Sequence, residues 1–439
     1  MLSVKTSVKD ILILSIPASL AVMIEPLAAM VDTSFMGRIG TDELAAIGIA
    51  VKVLMSISWM FNLLLYQVTA EVAKSESIGN ALAVKKSLKV AVISSFFISI
   101  IICSVLLYST GFILLDIMQV NSKVFLLAKN YIYIRAPFFL FFLIGSIFLG
   151  ALRGRLGHKK VLFIAVFETL INILITWYLV VLCDYSVVGA AVGTVVAKLI
   201  SLALSSLILF RDLEFGFFDM LSYKIGIRDL MRFGIKSSYM FVRSFSLQLL
   251  FILAVTYASR QGSLSLASYQ VCLELWLLFS FVVEGISIVC TAEGGQLYNS
   301  REKIGWNDFS FAALKASFLL GVLFLFLFII FSREFISIFT NQKDVILLCL
   351  SVFYFIALLQ PLNSIVFALD GLMFGTEEFS TLAKGCLSGL FVSSGLIFLN
   401  SFFKLLDPML SLWIAMGLMN LFRMLFSLNS YFRIRKSLV

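Results

Sequence analysis

The stretch MIEPLAAMVDTSFMGRIG, Met23–Gly40, carries two carboxylates seven residues apart, Glu25 and Asp32, with Pro26 directly after the first. It overlaps a strongly apolar run, Ile11–Met36. A charged side chain at the centre of a bilayer costs at least ~2.5 kcal/mol on insertion scales. Whether this run crosses a bilayer therefore decides both the fold and the meaning of the two acids.

The rest of the chain settles that question. Of 439 residues, 61% are hydrophobic and only 13% charged, where a soluble surface needs about a quarter. Apolar runs of about 20 residues, enough for a helix to cross ~30 Å of hydrocarbon, recur from end to end. Twelve spans are expected, the first at 11–36, the tenth at 345–372 and the last at 408–431. The first is too long for a signal-peptide core, and spans continue after it, so it reads as a membrane span. The fold class expected is an all-α polytopic membrane protein with twelve transmembrane helices.

Charge sets the orientation. Of the 34 basic residues, 22 fall on the side that holds both termini, seven on the other and five within spans. The positive-inside rule then puts both termini in the cytoplasm. The net charge of +9 is topology with anionic-lipid contact, and nucleic acid is not an expected partner. The six cysteines are scattered, with no C-x-x-C pair to suggest a metal or disulfide framework.

The longest polar stretch, Arg211–Arg232, reads as an amphipathic linker between two halves. The expected division is an N-lobe at 1–212, a cytoplasmic linker at 213–230 and a C-lobe at 231–439. At a shift of 222 residues, GTDELA (40–45) faces GSLSLA (262–267), and TAE (69–71) faces TAE (291–293). At a shift of 221, Gly150 and Gly154 face Gly371 and Gly375. Each half starts inside and holds an even number of spans. The two six-helix lobes are therefore parallel repeats about a pseudo-two-fold axis along the membrane normal. The Gly-x-x-x-Gly pairs read first as close helix packing.

No G-x-x-x-x-G-K-[ST], H-E-x-x-H or G-x-S-x-G occurs, so enzymatic chemistry and ATP hydrolysis have no support. The single histidine, His158, falls in a basic loop and is expected to be solvated there. What remains is movement of a solute, and the intramembrane ionisable groups are its candidates. The acids are Glu25, Asp32, Glu168, Glu274, Glu284 and Asp370, and the bases are Lys52, Arg135, Lys198, Arg243 and Arg423. Lys52, Lys198 and Glu274 also suit snorkelling or structural pairing.

Glu25 and Asp32 lie close to two helical turns apart and face one side, with Asp32 ~10 Å further out. Pro26 frees the carbonyl of Val22, a kinked, partly polar stretch that survives only against protein or a wet cavity. An acid at Asp32's depth could also be hydrated and inert. In ETLINILIT, Glu168, Asn172 and Thr176 share a face at i, i+4 and i+8. With Thr194 and Asp32 they form an oxygen-lined group able to take a proton or a small cation. Interhelical glue is the plainer reading of Thr176 and Thr194.

IPASLAVMIEPLAAMVDTSFMGRIGTDELAAIGIA, FLGALRGRLGHKK and LQPLNSIVFALDGLMFG, together with Val242–Glu293, resemble the multidrug and toxic compound extrusion family over nearly the whole chain. The likeness is greatest to its DinF-like branch, which includes plant citrate exporters. A monomer without a cofactor is expected, in a bacterial inner membrane, with an organellar membrane left open. The resemblance implies export of small organic compounds coupled to inward H⁺ or Na⁺. It implies that Asp32 is the coupling residue, working with Asn172 and Thr194, which also form the Na⁺ alternative. Many members carry an aspartate where this chain has Thr176, so proton coupling is the preferred expectation, with Glu168 or Glu25 as substitute acids. Arg243, Glu284 and Asp370 match the branch's charged C-lobe positions, and Pro17 and Pro26 its first-helix hinge. Rival readings are an organic-anion exporter, with Arg243 and Arg135 holding a carboxylate, a lipid-linked oligosaccharide flippase and a membrane scaffold.

Overall fold

A computed structural model describes residues 7–117, 120–300 and 303–438, except for the side chains at 25, 117, 303 and 304. The role expected of the Glu25 side chain therefore lies outside the described residues. The described residues are helical throughout, without a strand. Among the described residues eleven helices are long and apolar enough to cross a membrane, and a bent pair taken as one span makes a twelfth. The first six are α1 (Val8–Gly37), α2 (Thr41–Ser77), α3 (Ala81–Asp116), α4 (Ser122–Gly154), α5 (His158–Leu182) and α6 (Ser186–Leu213). The others are α7 (Ile227–Arg260), α8 (Ser263–Asn299), α9 (Gly305–Ile330), α11 (Phe379–Phe403) and α12 (Pro408–Leu438), with α10 the bent pair Lys343–Leu358 and Gln360–Gly375.

Contacts gather the chain into two compact units, one of Leu20–Ile235 and one of the chain up to Ser19 together with Lys236–Val439. Both divisions fall inside helices, α1 and α7. In the first unit α2 packs on α4 and α5 on α6; in the second, α8 packs on α10 and α11 on α12.

The repeat seen in the sequence is a repeat of contacts. Gly150 and Gly154 on α4 lie so close to α2 that an added Cβ would sit 2.5 Å from Leu65 O and 2.7 Å from Thr69 O. Gly371 and Gly375 on α10 meet α8 in the same way: a Cβ would clash with Ser287 O and sit 2.9 Å from Thr291 O. A threonine hydroxyl sits in each seam. Thr69 donates to Leu65 O (2.7 Å) and lies 3.0 Å from Gly150 O, while Thr291 donates to Ser287 O (2.8 Å) and lies 3.3 Å from Gly371 O. Small residues let helix backbones approach where lipid supplies no hydrophobic drive for helix pairing.

The prolines act differently in different helices. The tenth span, expected over 345–372, is bent by 49° between Leu358 and Gln360. Pro361 stands in the first turn after the bend, where its missing N–H costs nothing. In contrast, α1 runs through Pro17 and Pro26 as one helix, though both prolines remove a helical hydrogen bond. The start of α1 is fastened to α8 within its own unit. Ser19 donates to Val282 O at 2.6 Å, and Gly285 is a notch where a Cβ would meet the Ser19 hydroxyl and Ser15 O. His158, expected in a solvated loop, is instead 3% exposed in the first turn of α5, because the helix starts at that residue and turns it inward.

A buried carboxylate cluster and a cationic cavity

In the Leu20–Ile235 unit, α1, α5 and α6 bring together the residues the sequence singled out. α5 is two-faced. Leu170 and Leu174 are exposed while Asn172 and Thr176 are buried, as the four-residue spacing predicts. α6 comes close because Gly189 and Gly193 face α5; a Cβ on Gly193 would sit 2.5 Å from the Thr176 hydroxyl. This approach places Thr194 beside Asn172, and Gly193 is a contact position that a search for ionisable groups misses. The small-residue run VGAAVG before Thr194 is the signal that could have found it.

Asp32 is 5% exposed, buried within the packing of its unit. The Thr194 hydroxyl lies 3.4 Å from Asp32 Oδ2 and 2.9 Å from Ala190 O. With the Asn172 amide turned to satisfy both its atoms, its nitrogen donates to Asp32 Oδ1 at 3.3 Å. Its oxygen then accepts from the Thr194 hydroxyl and backbone N–H, each at 3.3 Å. The Thr176 hydroxyl is fully buried and faces the cluster without a hydrogen bond of good geometry among the described residues. Among the described residues no group of three or more His, Cys, Asp or Glu could hold a metal ion.

Glu168, on the same face of α5, does not join this cluster. It pairs with Lys198 of α6 at 2.6 Å. Beside Thr194 and Lys198 lies a cavity of about 30 Å³, lined also by Ser58 of α2 and by Arg135, Phe138 and Phe142 of α4. Arg135 donates to the Tyr131 hydroxyl at 3.0 Å and stacks over its ring. The Lys198 ammonium sits over the Phe142 ring.

In the other unit, Asp370 of α10 is 1% exposed, and its Oδ2 accepts from Arg243 of α7 and Arg423 of α12, both at 2.7 Å. Arg423 also donates to Asn420, which donates to Asn363, which donates to Ser280. The sequence put Arg243 and Asp370 together but not Arg423 or the amide chain behind it. Intramembrane Asn363 and Asn420 were the available signal. Glu284 is half-buried on α8.

Membrane-length helices enclosing buried charges, with apolar side chains outward, are the build of a solute transporter. The profile of the MatE family matches residues 17–178 and 240–398. A chloroplastic Arabidopsis thaliana protein, Protein DETOXIFICATION 44, is 28% identical over 398 residues, covering 88% of this chain and 75% of that protein. DNA damage-inducible protein F of Escherichia coli (strain K12) is 23% identical, covering 83% and 80%. Among solved structures, a MATE in the bent conformation superposes with a TM-score of 0.88 at 17% identity, over 98% of this chain and 96% of that one. The chain belongs to the MatE family of multidrug and toxic compound efflux transporters.

Proposed function

We propose that the chain exports small organic compounds, cationic amphiphiles foremost, in exchange for inward protons carried by Asp32. The observation that carries this reading is the Asp32–Thr194–Asn172 cluster, a nearly fully buried carboxyl held by neutral partners. Its partners suit both protonation states. When Asp32 is ionised, Asn172 donates to one carboxylate oxygen and the Thr194 hydroxyl turns its single proton to the other. When Asp32 is protonated, its O–H donates to the Thr194 oxygen, and the Thr194 proton turns to Ala190 O, 2.9 Å away. A hydroxyl both donates and accepts, so neither state leaves a buried carboxyl group unpaired.

Proton entry removes a charge from the outer half of α1. The helix then bends at Pro26, with Pro17 as a second hinge, and a cationic substrate loses its counter-charge. Proton and substrate thus compete for one site. No cofactor takes part. The 22-to-7 basic bias supports cytoplasmic termini, and we assign the protein as a monomer in a bacterial inner membrane. Arg243, Glu284 and Asp370 belong to the substrate path.

Sodium is the second reading. The buried Thr176 hydroxyl, without a hydrogen bond of good geometry among the described residues, favours it, since with Asp32, Asn172 and Thr194 it offers four oxygen-bearing side chains. The test is ethidium transport by purified protein in liposomes under an imposed pH or Na⁺ gradient. The expected result is transport that follows the pH gradient and is abolished in Asp32→Asn with folded protein retained. Wild-type rates in Asp32→Asn would overturn the assignment, and transport that follows only the Na⁺ gradient would replace the proton by sodium.

A further inference from the structure

The linker stretch Arg211–Arg232 is fastened to α3 by three lysines. The Lys85 ammonium sits 4.5 Å from the centre of the Phe215 ring, and Lys86 pairs with Asp229 at 2.7 Å. Lys89 donates to Leu221 O and, at 2.8 Å, to Tyr223 O. Among these contacts stands a short helix, Phe217–Ser222, closed at its start by Asp219, which accepts from the Gly216 N–H at 2.8 Å. The backbone is therefore fixed, and so is the face it presents. Phe218 is 83% exposed. Phe217 beside it packs toward the core, its ring 5.8 Å from Phe210, which lies 5.5 Å from the buried Phe148.

The start of α7 extends this face. Asp229 and Phe233, one turn apart, point inward: Asp229 to Lys86, and Phe233 to a buried position whose carbonyl accepts from Gln67 of α2. Ile227, Met231 and Ile235 share another face by the same four-residue spacing, and all three are exposed. Arg228 and Arg232 stand one position further round the helix and are exposed too, as is Lys224. One exposed Phe is ordinary on a protein surface. An exposed ring and an aliphatic stripe bordered by cations are the build of an interfacial amphipathic segment. At 1.5 Å per residue the 28 residues of α6 run about 42 Å, beyond the ~30 Å of hydrocarbon, so the linker at its end stands among the headgroups.

We infer that the linker and the first turns of α7 form a docking surface for the bilayer leaflet itself. Phe218, Ile227, Met231 and Ile235 sit at the acyl boundary, and Lys224, Arg228 and Arg232 hold the phosphates of anionic phospholipid. Charge complementarity selects that occupant. Of the four acids in the stretch, Asp212, Asp219 and Asp229 are engaged by Lys160, the Gly216 N–H and Lys86, which leaves Glu214 against the exposed cations. Each cation near an anionic surface favours it about fivefold. Docking of this kind needs only that the chain cross a bilayer, whichever ion drives transport.

The experiment is the fluorescence of Phe218→Trp, less that of the wild-type chain, in full-length protein reconstituted into phosphatidylcholine vesicles with a minor share of phosphatidylglycerol. One lipid or the other carries bromine near the top of its chains, at the same mole fraction. The expected result is quenching by both bromolipids, several-fold stronger for brominated phosphatidylglycerol, with little quenching by aqueous acrylamide. In that background Lys224→Gln, Arg228→Gln and Arg232→Gln together lower the preference, by up to about fivefold for each charge lost. Arg228→Lys with Arg232→Lys keeps the charges and the preference, and controls for folding. Quenching by acrylamide in place of bromolipid overturns the surface. Equal quenching by the two bromolipids, or a preference that survives the triple variant, overturns the anionic partner. Lipid quenching that disappears as protein density in the vesicles rises gives the face to a second copy of the chain and overturns the proposal as well.

Discussion

Replacing glycines one at a time by alanine measures how much of this fold depends on backbone contact between helices. Alanine is favoured over glycine within a helix by ~1 kcal/mol, so where there is room the exchange stabilises. Gly145 on α4 and Gly395 on α11 have nothing within 4 Å of an added Cβ. At Gly150 on α4 the same carbon would sit 2.5 Å from Leu65 O and 3.2 Å from Leu65 Cα. At Gly371 on α10 it would sit 2.7 Å from Ser287 Cα as well as clashing with Ser287 O. Both obstacles are backbone, which cannot rotate away, so two helices must part. Overpacking of this kind costs ~1–3 kcal/mol. The propensity gain is common to both helix positions, so the expected gap between Gly145→Ala and Gly150→Ala is the overpacking loss, ~1–3 kcal/mol. Thermal unfolding of the four purified variants in one detergent reads the order directly. Gly145→Ala and Gly395→Ala should unfold at or above the wild-type temperature, and Gly150→Ala and Gly371→Ala well below it. Unfolding of Gly150→Ala and Gly371→Ala alongside their controls would refute the paired seams as close contacts.

Four further outcomes are expected. Asp370→Asn strips a buried and a partly buried guanidinium of their shared carboxylate and should cost ~3–5 kcal/mol in unfolding measurements; Arg423→Met leaves the Arg243–Asp370 pair and should cost less. Glu168→Gln and Lys198→Met should each destabilise more than the double variant, a non-additivity that a double-mutant cycle reads as coupling of ~0.5–3 kcal/mol. Thr194→Val should lose transport driven by a pH gradient in liposomes, while Thr194→Ser, which keeps the hydroxyl, should retain it. Gly193→Ala pushes α6 off α5 at Thr176 and should lower that transport about tenfold, the equivalent of ~1.4 kcal/mol and the low end of overpacking.

Much of the candidate site is legible in sequence because an ionisable residue in an apolar run is conspicuous, and because helical period alone puts Asn172 and Thr176 on one face. The twelve spans and the 221–222-residue repeat are legible for similar reasons, since both are patterns along one chain. What could not be read are facts of proximity. Arg423 reaches Asp370 across 53 residues, and Glu168 turns to Lys198 and away from Asp32. His158 is drawn inside by a helix start that its basic neighbours disguise. The bend in α10 depends on whether a proline finds itself in the interior of a helix or in a first turn. The sequence LQPL fits either case, and α1 shows that a proline can also be carried through.

The division of α1 between two units bears on how the molecule could have been assembled and how it can be taken apart. The duplicated segments lie either side of the 213–230 stretch, which looks like the natural cut. The contacts do not respect it. Residues up to Ser19 complete the unit formed by Lys236–Val439, through the Gly285 notch and the Ser19–Val282 hydrogen bond. A fragment beginning after 230 would therefore lack a piece of its own core, and one ending at 230 would carry an orphaned apolar turn. Co-expression of the two fragments is then the way to supply the Lys236–Val439 unit with the segment up to Ser19 that its contacts include.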